Sequence, residues 1–187
     1  EVARPSVGVV TKLGWAHLGP MMGQDGIVAT KGELVEGLPA SGTAVISTDD
    51  PLVESFADRT QATVLSYGST GDVRATSVDL AGDLSLRVSV STPWGDAEVR
   101  PAVKGAHHVT NLLAALAGAL AAEVPLDAAV AGIEAAEPPE RRMQMHQAPG
   151  DIIVIDDSFN ATLGSVLGAL DALAAIDAPE RVAVLGP

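Results

Sequence analysis

"GTAVISTDDPLVESFADRTQATVLSYG", residues 42–68, reads as a strand, an acidic turn, a helix and a second strand. Asp50 stands where a helix N-cap belongs, and Pro51 fits the first helical position, where its missing N–H costs nothing. "ATVLSYG" (62–68) is the second strand. Upstream, "SVGVVTKLG" (6–14) is a short apolar run ending in Gly and reads as a buried strand; residues 24–37 read as a helix. The order β-α-β-α-β is the signature of an α/β layer fold with a mostly parallel sheet and flanking helices.

Downstream the texture changes. Residues 73–103, "VRATSVDLAGDLSLRVSVSTPWGDAEVRPAV", alternate apolar and polar positions around turn signals at Ala81-Gly82-Asp83 and Pro93-Trp94-Gly95. This predicts a half-exposed antiparallel meander. From His107 to Ala122 the chain predicts a helix too apolar all round to lie on a surface. A second helix is predicted over 125–136, broken at Pro138-Pro139. "DIIVIDDSFNAT" (151–162) predicts a strand running into an acidic loop, "LGSVLGALDALAAI" a helix, and "RVAVLGP" (181–187) a further strand. A new β-α-β unit therefore starts near Arg141, and a domain boundary is expected there, dividing 1–140 from 141–187. Both ends read as cut, so the chain is expected to be a piece of a larger protein.

Composition narrows the class. Of the 187 residues 47% are apolar and only 3% aromatic, so the core must be built from Val, Leu, Ile and Ala. That mixture suits parallel strands covered on both faces. The net charge of −13 argues against nucleic acid and anionic membranes as partners. Without cysteine there is no disulfide framework or thiolate chemistry, which fits a cytoplasmic protein. No apolar run approaches the roughly 20 residues of a membrane span.

The residues able to do chemistry are scattered. Neither G-x-x-x-x-G-K-[ST] nor G-x-G-x-x-G occurs, so the usual phosphate cradle is missing. His17, His107, His108 and His146 do not pair at the spacing of a zinc helix, and each reads first as a capped or surface histidine. Asp156-Asp157 follows a strand, where α/β folds gather their ligands; the pair can cap a helix or bind a ribose or a metal. Arg141-Arg142 is either solvated or a phosphate contact. Asn111, inside an apolar helix, is expected to be buried and to need a hydrogen-bond partner. In "GIVATKGELVEGL" (26–38), Gly32 costs a helix interior about 1 kcal/mol relative to Ala. Either that helix is imperfect or something needs room beside Lys31, which alone reads as a solvated lysine.

Taken together, "VVTKLGWAHLG", "ATKGEL", "GTAVISTDDP", "KGAHHVTNLLAALAGAL", "RRMQM" and "VIDDSFNAT…SVLGALDAL…RVAVLG" resemble the Mur ligase family in order and spacing. "TKGEL" and "DDSFNA" resemble most the branch that adds a D-Ala-D-Ala dipeptide to UDP-N-acetylmuramoyl-tripeptide. The resemblance implies the later part of a central ATPase domain, of P-loop type but without its P-loop, over 1–140. The opening of a Rossmann-like C-terminal domain would follow over 141–187. It implies ATP and Mg2+ as cofactors: ATP phosphorylates the substrate carboxylate, the dipeptide amine attacks the acyl phosphate, and phosphate leaves. By the same resemblance Lys31 is carbamylated and holds magnesium, with Gly32 giving the carbamate space, and His17 belongs to a second metal site. Asn111 faces the adenine, Arg142 the phosphates and Asp157 the ribose, while Ser158 and Asn160 contact substrate. The chain departs from the family pattern at Lys12, in "LGPMMGQDG" after His17, and at Thr162-Leu163, where Asn-Pro is frequent. A non-catalytic Mur-like interaction module, or a ligase adding a different amino acid, therefore stays open. The chain by itself is not expected to catalyse ligation.

Overall fold

The computed structural model describes residues 3–13, 23–150 and 152–186. Three short strands, β1 (Val7–Val10), β2 (Thr43–Ser47) and β3 (Thr63–Tyr67), form a parallel sheet in that order. Helix α1 (Gln24–Glu36) connects the first pair. Helix α2 (Pro51–Glu54), continued by a 3-10 turn over Ser55–Arg59, connects the second. The cap read from the sequence is present: Asp50 Oδ1 accepts from Leu52 N at 3.1 Å, and Pro51 is the first helical residue. Its other oxygen accepts from Leu13 N at 3.0 Å, so one side chain ties the end of β1 to the start of α2.

The two-residue period of β2 explains the layers. Ala44 and Ile46 face a cluster with Ile27, Val35, Val53 and Phe56, on the side of α1 and α2. Val45 faces the opposite cluster, built from Leu112, Leu113, Leu116 and Leu120 of helix α3 (Val109–Ala121). Gly118 lets α3 approach β1, since a Cβ there would sit 3.1 Å from Val9 Cγ2. The meander forms as expected, with β4 (Arg74–Leu80), β5 (Leu86–Thr92) and β6 (Gly95–Val99) antiparallel. Leu86, Val88 and Val90, at alternate positions of β5, join the α3 cluster, and helix α4 (Leu126–Ala135) packs on α3 and β6.

Two sequence expectations need correction beyond residue 140. The segment Gln144–Ala148 is a strand, β7, paired antiparallel with β8 (Ile152–Asp156), so this part opens with a hairpin. Residues 181–186, expected as a strand, form none; Val182, Val184 and Leu185 are exposed and have no strand beside them to satisfy the backbone. Helix α5 (Leu163–Ala175) is formed as expected and starts with a capping box between Thr162 and Ser165. A small third cluster, Leu84, Met143, Ala172 and Ile176, joins the β4–β5 turn to β7 and α5. Among the described residues no helix is long and apolar enough to cross a membrane.

Candidate nucleotide site

The carboxyl ends of the parallel strands are held by a dense set of polar contacts. The Tyr67 hydroxyl, buried, donates toward the carbonyls of Val10 and Thr11 at 3.1 and 3.2 Å. Burial pushes its pKa up, so it remains a donor. Asp49 Oδ1 accepts from Ser69 N and Oγ at 2.8 and 2.6 Å. From α1, Lys31 Nζ reaches the same strand end and donates to the Lys12 carbonyl at 2.9 Å. Lys31 is exposed.

Gly32 has a close neighbour that the sequence did not announce. A Cβ at position 32 would fall inside the guanidinium of Arg59. The missing side chain makes room for that arginine.

One residue before Lys12, Thr11 lines an open depression of ≈ 380 Å³ together with Val9, Asn111, Ala114, Ala115 and Gly118. Its floor is the seam between β1 and α3. Asn111 is not buried, contrary to expectation. It lies on the exposed stripe of α3 with Thr110 and Ala115, and its amide stands 3.4 Å from His108 Nδ1. With that amide donating, the proton of the neutral His108 ring sits on Nε2. That atom is buried and meets no partner among the described residues.

The His107 and His108 rings are 4.2 Å apart. Burial, with the neighbouring His107 adding to it, holds the His108 pKa down at about 4. Burial also lowers His107, against the opposing pull of Asp157 and Asp171. The charges of Asp157 and Arg142 both act on His108, at the N-cap of α3, in opposite directions.

The loop before β7 is shaped to present Arg142. Arg141 and Met143 on either side of it have φ of 57° and 52°, a conformation L residues adopt at a cost. Side chains hold both: Gln144 Oε1 accepts from Arg141 N at 3.0 Å, and Asp157 Oδ1 accepts from Met143 N at 3.2 Å. The Arg142 guanidinium then lies 4.2 Å over the Phe159 ring. Asp156 plays a different part: it closes a turn by accepting from Ser158 N at 3.0 Å, and that bonding holds its pKa below the usual carboxylate range. Ser158 and Asn160 are exposed on the same loop, Asn160 accepting from Ala161 N at 2.9 Å.

Asn111 thus contacts His108, on which the charges of Arg142 and Asp157 also act, and Lys31 reaches from α1 to the Lys12 carbonyl just after β1. His17 lies outside the described residues. The sequence reading passed over His108 and Phe159. The doublet His107-His108 three and four residues before Asn111 was the available signal, because that spacing puts side chains on one helix face.

The Mur ligase middle domain model matches residues 1–119. The chain belongs to the Mur ligase family. It is 41% identical over 177 residues to the UDP-N-acetylmuramoyl-tripeptide–D-alanyl-D-alanine ligase of Mycobacterium tuberculosis, covering 93% of this chain and 35% of the relative. To the enzyme of that name from Synechocystis it is 32% identical, covering 100% of this chain and 39% of the relative. Among solved structures, MurF from Acinetobacter baumannii superposes with a TM-score of 0.86 at 32% identity, over 93% of this chain and 38% of that one. A MurF ligase from Thermotoga maritima in complex with ADP has the same fold, with a TM-score of 0.78 at 20% identity over 92% of this chain and 40% of that one. This Mur ligase chain spans about a third of the length of the curated relatives it matches. The departure at Thr162-Leu163 keeps the helix start intact, because Thr162 Oγ1 caps α5 by accepting from Ser165 N at 3.2 Å.

Proposed function

We propose that this chain is the nucleotide-binding portion of an ATP-dependent ligase that joins D-Ala-D-Ala to UDP-N-acetylmuramoyl-tripeptide in the cytoplasm. The observation that carries the reading is an apolar-floored depression rimmed by Asn111, whose amide stands beside His108, a ring on which the charges of Arg142 and Asp157 both act. The 41% identity to a ligase of that name supports the choice of substrates. Residues 1–140 act as the later part of the central domain and 141–187 as the start of the C-terminal one.

The residues present fit a nucleotide. The depression offers an apolar floor and an amide rim to a planar base. Asp157 keeps its second carboxylate oxygen for a ribose hydroxyl, and Arg142, steadied on Phe159, supplies positive charge to phosphate oxygens. ATP, when bound, supplies the phosphoryl group that activates the tripeptide carboxylate toward the dipeptide amine. Magnesium takes oxygen donors, and a lysine amine is not one. Lys31 fits only as a carbamate, which its exposed amine can become; Ser158 and Asn160 are then left for the peptide side of the site.

The test is phosphate release by the full-length protein carrying this segment. Release from ATP should require both UDP-N-acetylmuramoyl-tripeptide and D-Ala-D-Ala, with one phosphate per peptide bond. No release with both present would favour a non-catalytic Mur-like module. Release with a different amino acid in place of the dipeptide would favour another branch of the family.

A further inference from the structure

We infer that Arg59 is a positioning residue for Lys31, acting through the bare backbone of Gly32. The Arg59 side chain lies along α1 as a saddle. Its Nη1 donates to the Val28 carbonyl at 3.2 Å, and its Nε and Nη2 contact Glu36 Oε1 at 2.8 and 2.7 Å. Val28, Gly32 and Glu36 are spaced by four residues and so form one face of the helix. The guanidinium spans the two ends of that face and rests on the middle, where only glycine leaves room for it. Its other side stacks on Phe56, with 4.9 Å from Cζ to the ring centroid. Phe56 is fully buried, so the saddle is anchored to the core beneath α1. The next residue adds a second tie, Thr60 Oγ1 donating to the Val35 carbonyl at 2.7 Å.

A helix can turn about its axis, and a slip of one residue swings every side chain by about 100°. Lys31 adjoins Gly32, and among the described residues its amine has one acceptor, the Lys12 carbonyl just after β1. A slip of that size would take the amine off the strand end. The Arg59 saddle fixes the rotation at the turn that carries Lys31. A glycine in a helix interior, otherwise a cost, is thereby explained: it is the seat of the arginine.

The functional weight of this placement rests on the proposed role of Lys31, but the placement has its own test. In the intact protein, in buffer stripped of carbon dioxide, trace acetic anhydride labels lysines in proportion to the freedom of their amines. Peptide mass spectrometry then compares Lys31 with Lys104, one of the other two lysines of this chain. Arg59→Ala and Gly32→Ala should each raise the Lys31 to Lys104 labelling ratio at least threefold, Arg59→Lys less. Gly32→Ala should add nothing once Arg59 is alanine. The melting temperature should fall on Gly32→Ala in the presence of Arg59 and rise in its absence, because alanine is the better helix former when nothing competes for the space. If Arg59→Ala does not fold by circular dichroism, Glu36→Gln, which removes the carboxylate charge from one end of the saddle, carries the same measurement. Unchanged labelling in folded variants, or additive effects of the two substitutions on melting, would overturn the inference. Because no carbon dioxide is present, the result does not depend on whether Lys31 forms a carbamate; uptake of 13C-bicarbonate by wild type, read by NMR, tests that reading separately.

Discussion

His108 shows how much the surroundings of a single residue govern its chemistry. Its ring is half-buried beside His107, so its neutral form is favoured and its pKa falls from 6.5 to about 4. The unfolded chain therefore binds more protons than the folded one between those values, and stability rises with pH across that window. The contribution is complete above pH 6.5 and is lost as pH falls toward 4. Wild type should lose more of its urea midpoint between pH 7 and pH 5 than His108→Asn does; equal losses would contradict the assignment. Lys31 carries a functional prediction at the same scale. In the full-length protein Lys31→Ala should lower ligation by several orders of magnitude, and added short-chain carboxylic acids should restore part of it by supplying the missing oxygen donor. Near-wild-type turnover would exclude a metal-holding carbamate.

At the scale of elements, Asp50 is the residue most used, capping α2 and tying down the end of β1. Asp50→Ala should cost about 1–2 kcal/mol in urea unfolding for the cap, more if the Leu13 N–H is left unpaired. Leu116, fully buried between the parallel sheet and the meander, should cost about 2–5 kcal/mol as Leu116→Ala. A smaller loss for Leu116→Ala than for Asp50→Ala would misplace the core.

These elements were legible because their signals are local. Asp50-Pro51 marks a helix start by itself, and the alternation of β5 marks its buried face. Strand β7 was not legible: "QMHQA" is short, half-buried and polar, and becomes a strand only because β8 lies antiparallel beside it. The opposite error fell on 181–187, where apolar residues promise a strand that local sequence cannot complete without a neighbour. Asn111 was misjudged because the mean apolarity of α3 hides its exposed stripe. Gly32 was noticed, but its contact with Arg59 was not legible, because Arg59 is 27 positions away in sequence. The roles proposed for Lys31, Arg142 and Asp157 rest on the family resemblance.

For the whole molecule, the nucleotide groups divide between the region before residue 140 and the region after it. Asn111 comes from α3 and His108 from its N-cap, Arg142 and Asp157 from the loops flanking the β7–β8 hairpin. The third apolar cluster, which sets the hairpin and α5 against Leu84, is small, so the two halves of the site are held together by few buried side chains. The chain also has no glycine-rich loop to supply backbone amides to a triphosphate. Calorimetry of the 187-residue chain with ATP and magnesium should therefore show weak binding or none, and micromolar affinity would mean that another phosphate site exists within it. The central claim, that Asn111, Arg142 and Asp157 serve the nucleotide and not the peptide, is tested most directly by titrating full-length wild type and Asp157→Ala with ATP and with D-Ala-D-Ala. Loss of a hydrogen bond to a charged group should weaken ATP by about 1.5–3 kcal/mol, roughly 10- to 150-fold, and leave the dipeptide within a factor of about two. Equal weakening of both, or a larger loss for the dipeptide, would contradict the account.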